Sequence, residues 1–210
     1  MGLLAAALAV LTAAVGFVSV SGNARQSACY ALQLDARARM ERCMEAVRGY
    51  REELGLPLSP GDFHKPGLIG EEYTDITTTL GSIEAKRTAA DPDMAALLVR
   101  MFSEAGLRSG DRVGAGFSGS FPSLNLAVLC ACDAMELEAV YISSVGASTY
   151  GANCPELTFP DMAHRLFLDG LISRDSALVT PGGDRDNGGG VFDEEAFVPI
   201  LKRGESWGIP

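Results

Sequence analysis

The stretch GDRVGAGFSGSFPSLNLAVLCACDAM, Gly110 to Met135, decides the fold. Arg112 to Phe117 reads as a buried strand, Ser118-Gly119-Ser120 as a tight turn, and Pro122 to about Met135 as a helix apolar almost all round. A turn of this kind offers backbone N–H groups and small hydroxyls at a helix N-terminus, where the helix dipole favours negative charge. The chemistry of the chain is therefore expected there.

Working outward, strand and helix signals alternate. Upstream, the β-branched run Thr74 to Leu80 reads as a strand closed by Gly81-Ser82. Asp91 caps a helix with Pro92 in its first turn that runs to Ala105 and stops at Gly106. Downstream come a strand at Ala139 to Ser143, a small-residue loop from Ser143 to Asn153, and a helix from Phe159 to Leu171. A short strand at Ser176 to Thr180 leads into a Gly/Asp loop, and Asp193 to Arg203 is the last helix. The chain then reaches Gly208-Ile209-Pro210, which reads as the approach to a further strand, so the natural protein is expected to continue.

This order predicts an α/β fold: a parallel sheet with helices on both faces, Rossmann-like and three-layered, with right-handed crossovers. Ligands of such sheets bind at the carboxyl edge of the strands. Four loops should meet there: Gly81-Ser82, Ser118 to Ser120, Ser143 to Ser148, and Gly182 to Gly190.

The amino-terminal part has a different character. Met1 to Gly22 carries no charge and is long enough to cross a bilayer, which takes about 20 residues, so it reads as a single-pass membrane anchor in contact with lipid. A cleaved signal segment is the alternative, although no Lys or Arg precedes the apolar run. Arg25, Arg37, Arg39 and Arg42 follow the span; only Arg25 is close to it, and the side on which the domain lies stays open. Residues 23–56 read as a membrane-proximal amphipathic helix whose apolar positions Ala36, Met40, Cys43, Val47, Tyr50 and Leu54 alternate steps of four and three. That stripe suits either packing on the same domain or a coiled-coil dimer. Residues 57–70, rich in Pro and Gly, read as a linker, and 71–210 as the α/β domain.

Composition narrows the function classes. With 27 acidic and 17 basic side chains the net charge is −10, against the basic surface that nucleic-acid binding requires. Five cysteines at irregular spacing read as small buried hydrophobes, and His64 and His164 have no ligand-like spacing, so a zinc site has little support.

Several motifs bear on the central turn. Gly114, Gly116 and Gly119 form G-x-G-x-x-G, but the first two lie within the strand, and the next strand ends in Ser143-Ser144 where a dinucleotide site needs an acid. No Lys-Ser or Lys-Thr follows the glycines, so there is no P-loop, and no cofactor is assigned. Gly116-Phe117-Ser118-Gly119-Ser120 approaches the G-x-S-x-G nucleophile elbow, with Ser118 as the nucleophile and the Gly119 and Ser120 amides as an oxyanion hole. No histidine suits the role of base; a desolvated Lys86 would serve. The alternative is that Ser118 and Ser120 only shape the turn and cap the helix. Glu84, Lys86 and Arg87, on the loop after the Thr74 to Leu80 strand, form a charged cluster that either holds a carboxylate or phosphate or is simply solvated. Asn125 either lines the site or hydrogen-bonds the turn. Ser143, Ser144 and Ser148 belong to the second small-residue loop. Asp184, Asp186 and Asn187 either bind a divalent cation or belong to a flexible polar loop.

Three runs carry a resemblance. GLIGEEYTDITTTLGSIEAKRTAADPDMAALLVR (Gly67 to Arg100), GFSGSFPSLNLAVL (Gly116 to Leu129) and ISSVGASTYGAN (Ile142 to Asn153) resemble the bacterial poly-gamma-glutamate system protein family, over about Tyr30 to Asn187. The resemblance implies a membrane-anchored component of the machinery that makes and exports poly-gamma-glutamate, partnered by the synthase and export membrane proteins. It implies no catalytic residue. Two further readings stand beside it: a non-catalytic accessory subunit docked to the synthase complex, and a serine hydrolase of a γ-linked polymer. A chain of net charge −10 does not attract a polyanion from a distance, so direct contact with glutamate carboxylates would rest on local donors such as Lys86, Arg87 and the turn amides.

Overall fold

A computed structural model of the chain describes residues 28–63, 65–186 and 193–210. The anchor expected at Met1 to Gly22, His64 and Asn187 lie outside the described residues. Among those described, no helix is long and apolar enough to cross a membrane. The chain divides into Met1–Tyr30 and one compact unit, Ala31–Pro210.

Helix α1 (Tyr30–Glu53) buries Ala36, Met40, Cys43, Val47 and Tyr50, the stripe read from the sequence. The stripe is spent within the domain. Cys43 Sγ lies 3.9 Å from Cys130 Sγ, Gln33 Nε2 donates to the Ala96 carbonyl at 3.1 Å, and the Tyr50 hydroxyl donates to Asp169. Leu54, assigned to the stripe, is exposed beyond the helix end.

Gly55, at φ +68°, terminates α1 in the left-handed conformation that glycine adopts most readily. The segment expected as a linker is instead packed into the unit. Leu68 and Ile69 are buried, the Gly67 amide donates to Asp62 at 2.8 Å, and a Cβ on Gly70 would meet the Gly151 carbonyl oxygen at 2.0 Å. Proline and glycine report turns, but not whether the turns are docked.

The main sheet has three parallel strands in the order β2 (Arg112–Phe117), β3 (Glu138–Ser144) and β7 (Leu178–Thr180). β1 (Thr77–Thr79), far shorter than the run read as a strand, pairs in parallel with β4 (Ala147–Ser148). β5 (Asn153–Cys154) and β6 (Leu157–Thr158) form an antiparallel pair. The remaining helices are α2 (Ile83–Ala89), α3 (Asp93–Glu104), α4 (Pro122–Ala134), α5 (Phe159–Leu168) and α6 (Glu194–Ser206). The fold is α/β, with six α-helices and small parallel sheets among the described residues.

One face of the main sheet is covered. Phe117 of β2 and Tyr141 of β3 pack ring to ring at 5.0 Å, and Phe159 of α5 meets Phe117 edge-on at 5.7 Å. Val179 of β7 joins Ile76, Val145, Phe197 and Ile200 in a second cluster beneath α6. Helices on both faces are not found among the described residues: Val140 and Ile142 are 47% and 41% exposed, and Gly114 and Gly116 have nothing within 4 Å of an added Cβ. The strand order explains this. Successive strands are added in one direction, and right-handed crossovers then place successive helices on the same side; covering the other face requires the order to reverse.

Asp161 fastens α5 to α6. Its carboxylate accepts from Arg203 Nε at 2.6 Å and Nη2 at 2.7 Å, and from the Thr158 amide at 2.8 Å and hydroxyl at 2.6 Å. The edge of β7 is met by the last residue, the Val179 amide donating to the Pro210 carbonyl at 2.9 Å.

Candidate functional site

The strand-to-helix turn after β2 is held by its own polar groups. Ser118 Oγ accepts from the Ser120 amide at 3.0 Å, and Asn125, buried in the first turn of α4, donates to the Ser118 carbonyl at 2.8 Å. Asn125 thus bonds the turn. Gly119 is required by closeness: a Cβ there would stand 3.0 Å from both Ala147 Cβ and the Val145 carbonyl oxygen.

The four carboxyl-edge loops meet, the last described as far as Asp186, but the turn divides them. On one side a shallow groove of about 390 Å³ is lined by Gly116, Ser118, Ile142, Ser144, Thr180 and Asp186, among others. Ser144 Oγ donates to the Phe117 carbonyl at 3.4 Å. Asp186 organises the glycine loop, its Oδ1 accepting from Thr180 Oγ1 at 2.7 Å and the Gly182 amide at 3.0 Å. Asp184 is exposed beside it. Among the described residues no group of three His, Cys, Asp or Glu side chains could hold a metal ion.

On the other side lies Lys86. Expected on the loop after the Thr74 to Leu80 strand, it stands on α2, whose N-cap Ser82 accepts from the Ala85 amide at 3.3 Å. Lys86 is 2% exposed. Its Nζ donates to the Ser120 carbonyl and, at 2.7 Å, to Ser148 Oγ, and lies 3.7 Å from the centre of the Phe121 ring. Ser120 Oγ accepts from the Ser148 amide at 3.0 Å, closing the cluster. The expected Lys86–Ser118 pair does not form, because Ser118 Oγ bonds its own turn and is exposed. Burial lowers the Lys86 ammonium to about 8, and no carboxylate pairs with it among the described residues.

Lys86 stands apart from the other two members of the charged trio, Glu84 and Arg87, whose Oε1 and Nη1 lie 4.0 Å apart. Glu84 is exposed and accepts from Ser82 Oγ at 3.0 Å. Arg87 turns away, its Nε donating to the Gly61 carbonyl at 2.9 Å and its guanidinium stacking on Phe63 at 3.9 Å. Seven helical residues send side chains in all directions, which a loop reading conceals. Ser143 also leaves the site: it is buried on the covered face against Ser176, whereas Ser144 reaches the groove, as strand alternation requires. His164 bonds Asp175 at 2.6 Å and stacks on Trp207 at 4.2 Å, remote from the turn.

The sequence singled out Ser148 without assigning it a partner. The signal was the N-cap pattern at Ser82-Ile83-Glu84, which would have put Lys86 on a helix. In comparison with known proteins, no family model, curated protein or solved structure matches this chain.

Proposed function

We propose that this chain is a membrane-anchored component of the bacterial poly-gamma-glutamate synthesis and export system, and that the Lys86 side of its turn holds a carboxylate or amide group of the ligand. One observation carries the reading. Each of the three runs that bear the resemblance contributes one member of a single cluster: Lys86 from the first, Ser120 from the second, Ser148 from the third. A buried ammonium with no anion beside it is costly, and a ligand carboxylate supplies the missing charge. The Rossmann-like reading of the sheet belongs to the same proposal, supported by the parallel β2-β3-β7 order and by the cluster's place at the carboxyl edge.

The test is polymer output in cells. Lys86→Met, at wild-type membrane level and with a wild-type melting profile, lowers output at least about tenfold, a difference of about 1.4 kcal/mol. Normal output from that variant overturns the reading.

The accessory-subunit reading is favoured by a different observation, the bare sheet face at Val140 and Ile142. In that case Val140→Asp with Ile142→Asp lowers output while Lys86→Met does not.

A further inference from the structure

We infer that Ser148 and Lys86 form a nucleophile–base pair for acyl transfer from a carboxylic ester or amide, with Ser148 rather than Ser118 as the attacking hydroxyl. The inference rests on the reading of the Lys86 side as a ligand site.

Three observations converge on it. Lys86 Nζ and Ser148 Oγ are 2.7 Å apart, within proton-transfer reach. The amine is held in place by the Ser120 carbonyl and the Phe121 ring, and no carboxylate fixes it in the charged form among the described residues. Burial supports the assignment by lowering the ammonium to about 8, so that a useful fraction is neutral near physiological pH. Ser148 is buried, and its hydroxyl packs against Gly81, a partly exposed residue. A Cβ there would come within 2.8 Å of Ser148 Oγ and 3.1 Å of the Thr149 carbonyl oxygen.

The chemistry balances with water as the only co-reactant. Neutral Lys86 takes the Ser148 hydroxyl proton as Oγ bonds to the substrate carbonyl carbon. The tetrahedral adduct then collapses, the bond from carbon to the leaving nitrogen or oxygen breaks, and the Lys86 ammonium returns the proton to that leaving atom. Water attacks the Ser148 ester, gives one proton to Lys86, and releases the acid; the Lys86 ammonium reprotonates Ser148 Oγ. Ser118 takes no part.

The probe is a fluorophosphonate, applied to the full-length chain in detergent, with fragment-ion sequencing to place the adduct. The expected result is an adduct on Ser148 whose formation rate rises with pH through about 8. Lys86→Met lowers the rate at least about a hundredfold and Gly81→Ala at least about tenfold, both with wild-type circular dichroism. An adduct on Ser118 or Ser120, or no adduct on the wild-type protein, overturns the pair. Loss of carboxylate binding in Lys86→Met without any Ser148 labelling overturns the pair and leaves the binding site standing. Ser148 labelling that depends on Lys86, in a protein whose carboxylate binding ignores Lys86, sustains the pair and removes the binding site.

Discussion

Lys86 on α2 donates to Ser148 on β4 across 2.7 Å, although 62 positions separate them in the chain. The bond joins the helix after β1 to the short strand after β3, beside the turn that follows β2. It also sets a cation inside the protein without an acidic partner among the described residues.

A pH dependence of stability follows. Lys86 titrates at about 8 when folded, against about 10.4 in an unfolded chain. Between these values the unfolded state binds more protons, so the contribution of Lys86 to stability rises with pH across that window. Urea unfolding at pH 7, 8, 9 and 10 should show wild type gaining on Lys86→Met as pH rises. A gap that is constant or shrinks contradicts the assignment.

Two glycines of the sequence pattern should respond oppositely to alanine. At Gly119 a Cβ meets Ala147 Cβ at 3.0 Å and two carbonyl oxygens at 3.0 and 3.1 Å, so Gly119→Ala costs about 1–3 kcal/mol. At Gly114 nothing lies within 4 Å, and Gly114→Ala is neutral or stabilises by up to about 1 kcal/mol. Chemical denaturation of both variants checks the pair.

Removing the Asp161 carboxylate strands the part-buried Arg203 and the Thr158 cap together. Asp161→Ala is therefore expected to destabilise by about 3–5 kcal/mol. A loss below about 1 kcal/mol in the urea midpoint analysis would show that α6 is not fastened here.

Cys43, Cys130 and Cys132 are buried as free thiols, and burial pushes the Cys132 thiol up to about 12. A thiol reagent at pH 8 should leave these three unmodified in the native chain and modify them in urea, as read by mass spectrometry. Rapid native labelling at any of them contradicts the packing of α1 on α4.

Legibility in the sequence followed the range of each interaction. The bounds of β2 are legible to the residue because its end is marked by the small-residue turn, but its expected burial fails, since only Phe117 is buried; the stripe of α1 is legible because five buried positions repeat over a long helix. α2 was missed because seven residues hold too few turns to show a period, which left Lys86, Glu84 and Arg87 as a loop cluster. The bond between Lys86 and Ser148 depends on the pairing of β1 with β4, in which Thr77 meets Ala147; no local pattern encodes that register. Ser143 and Ser144 were grouped together although a strand sends neighbours to opposite faces, and one more residue of strand would have separated them. The bare face follows from strand order, which neighbouring residues do not specify.

Lys86, rather than Ser118, is the residue proposed to hold the ligand. Its most direct test is calorimetric titration of a short γ-glutamyl peptide into the wild-type chain, Lys86→Met and Ser118→Ala. Binding to wild type is expected, with affinity weakened at least about tenfold in Lys86→Met and within about threefold of wild type in Ser118→Ala. Equal binding by wild type and Lys86→Met, or loss confined to Ser118→Ala, would contradict it.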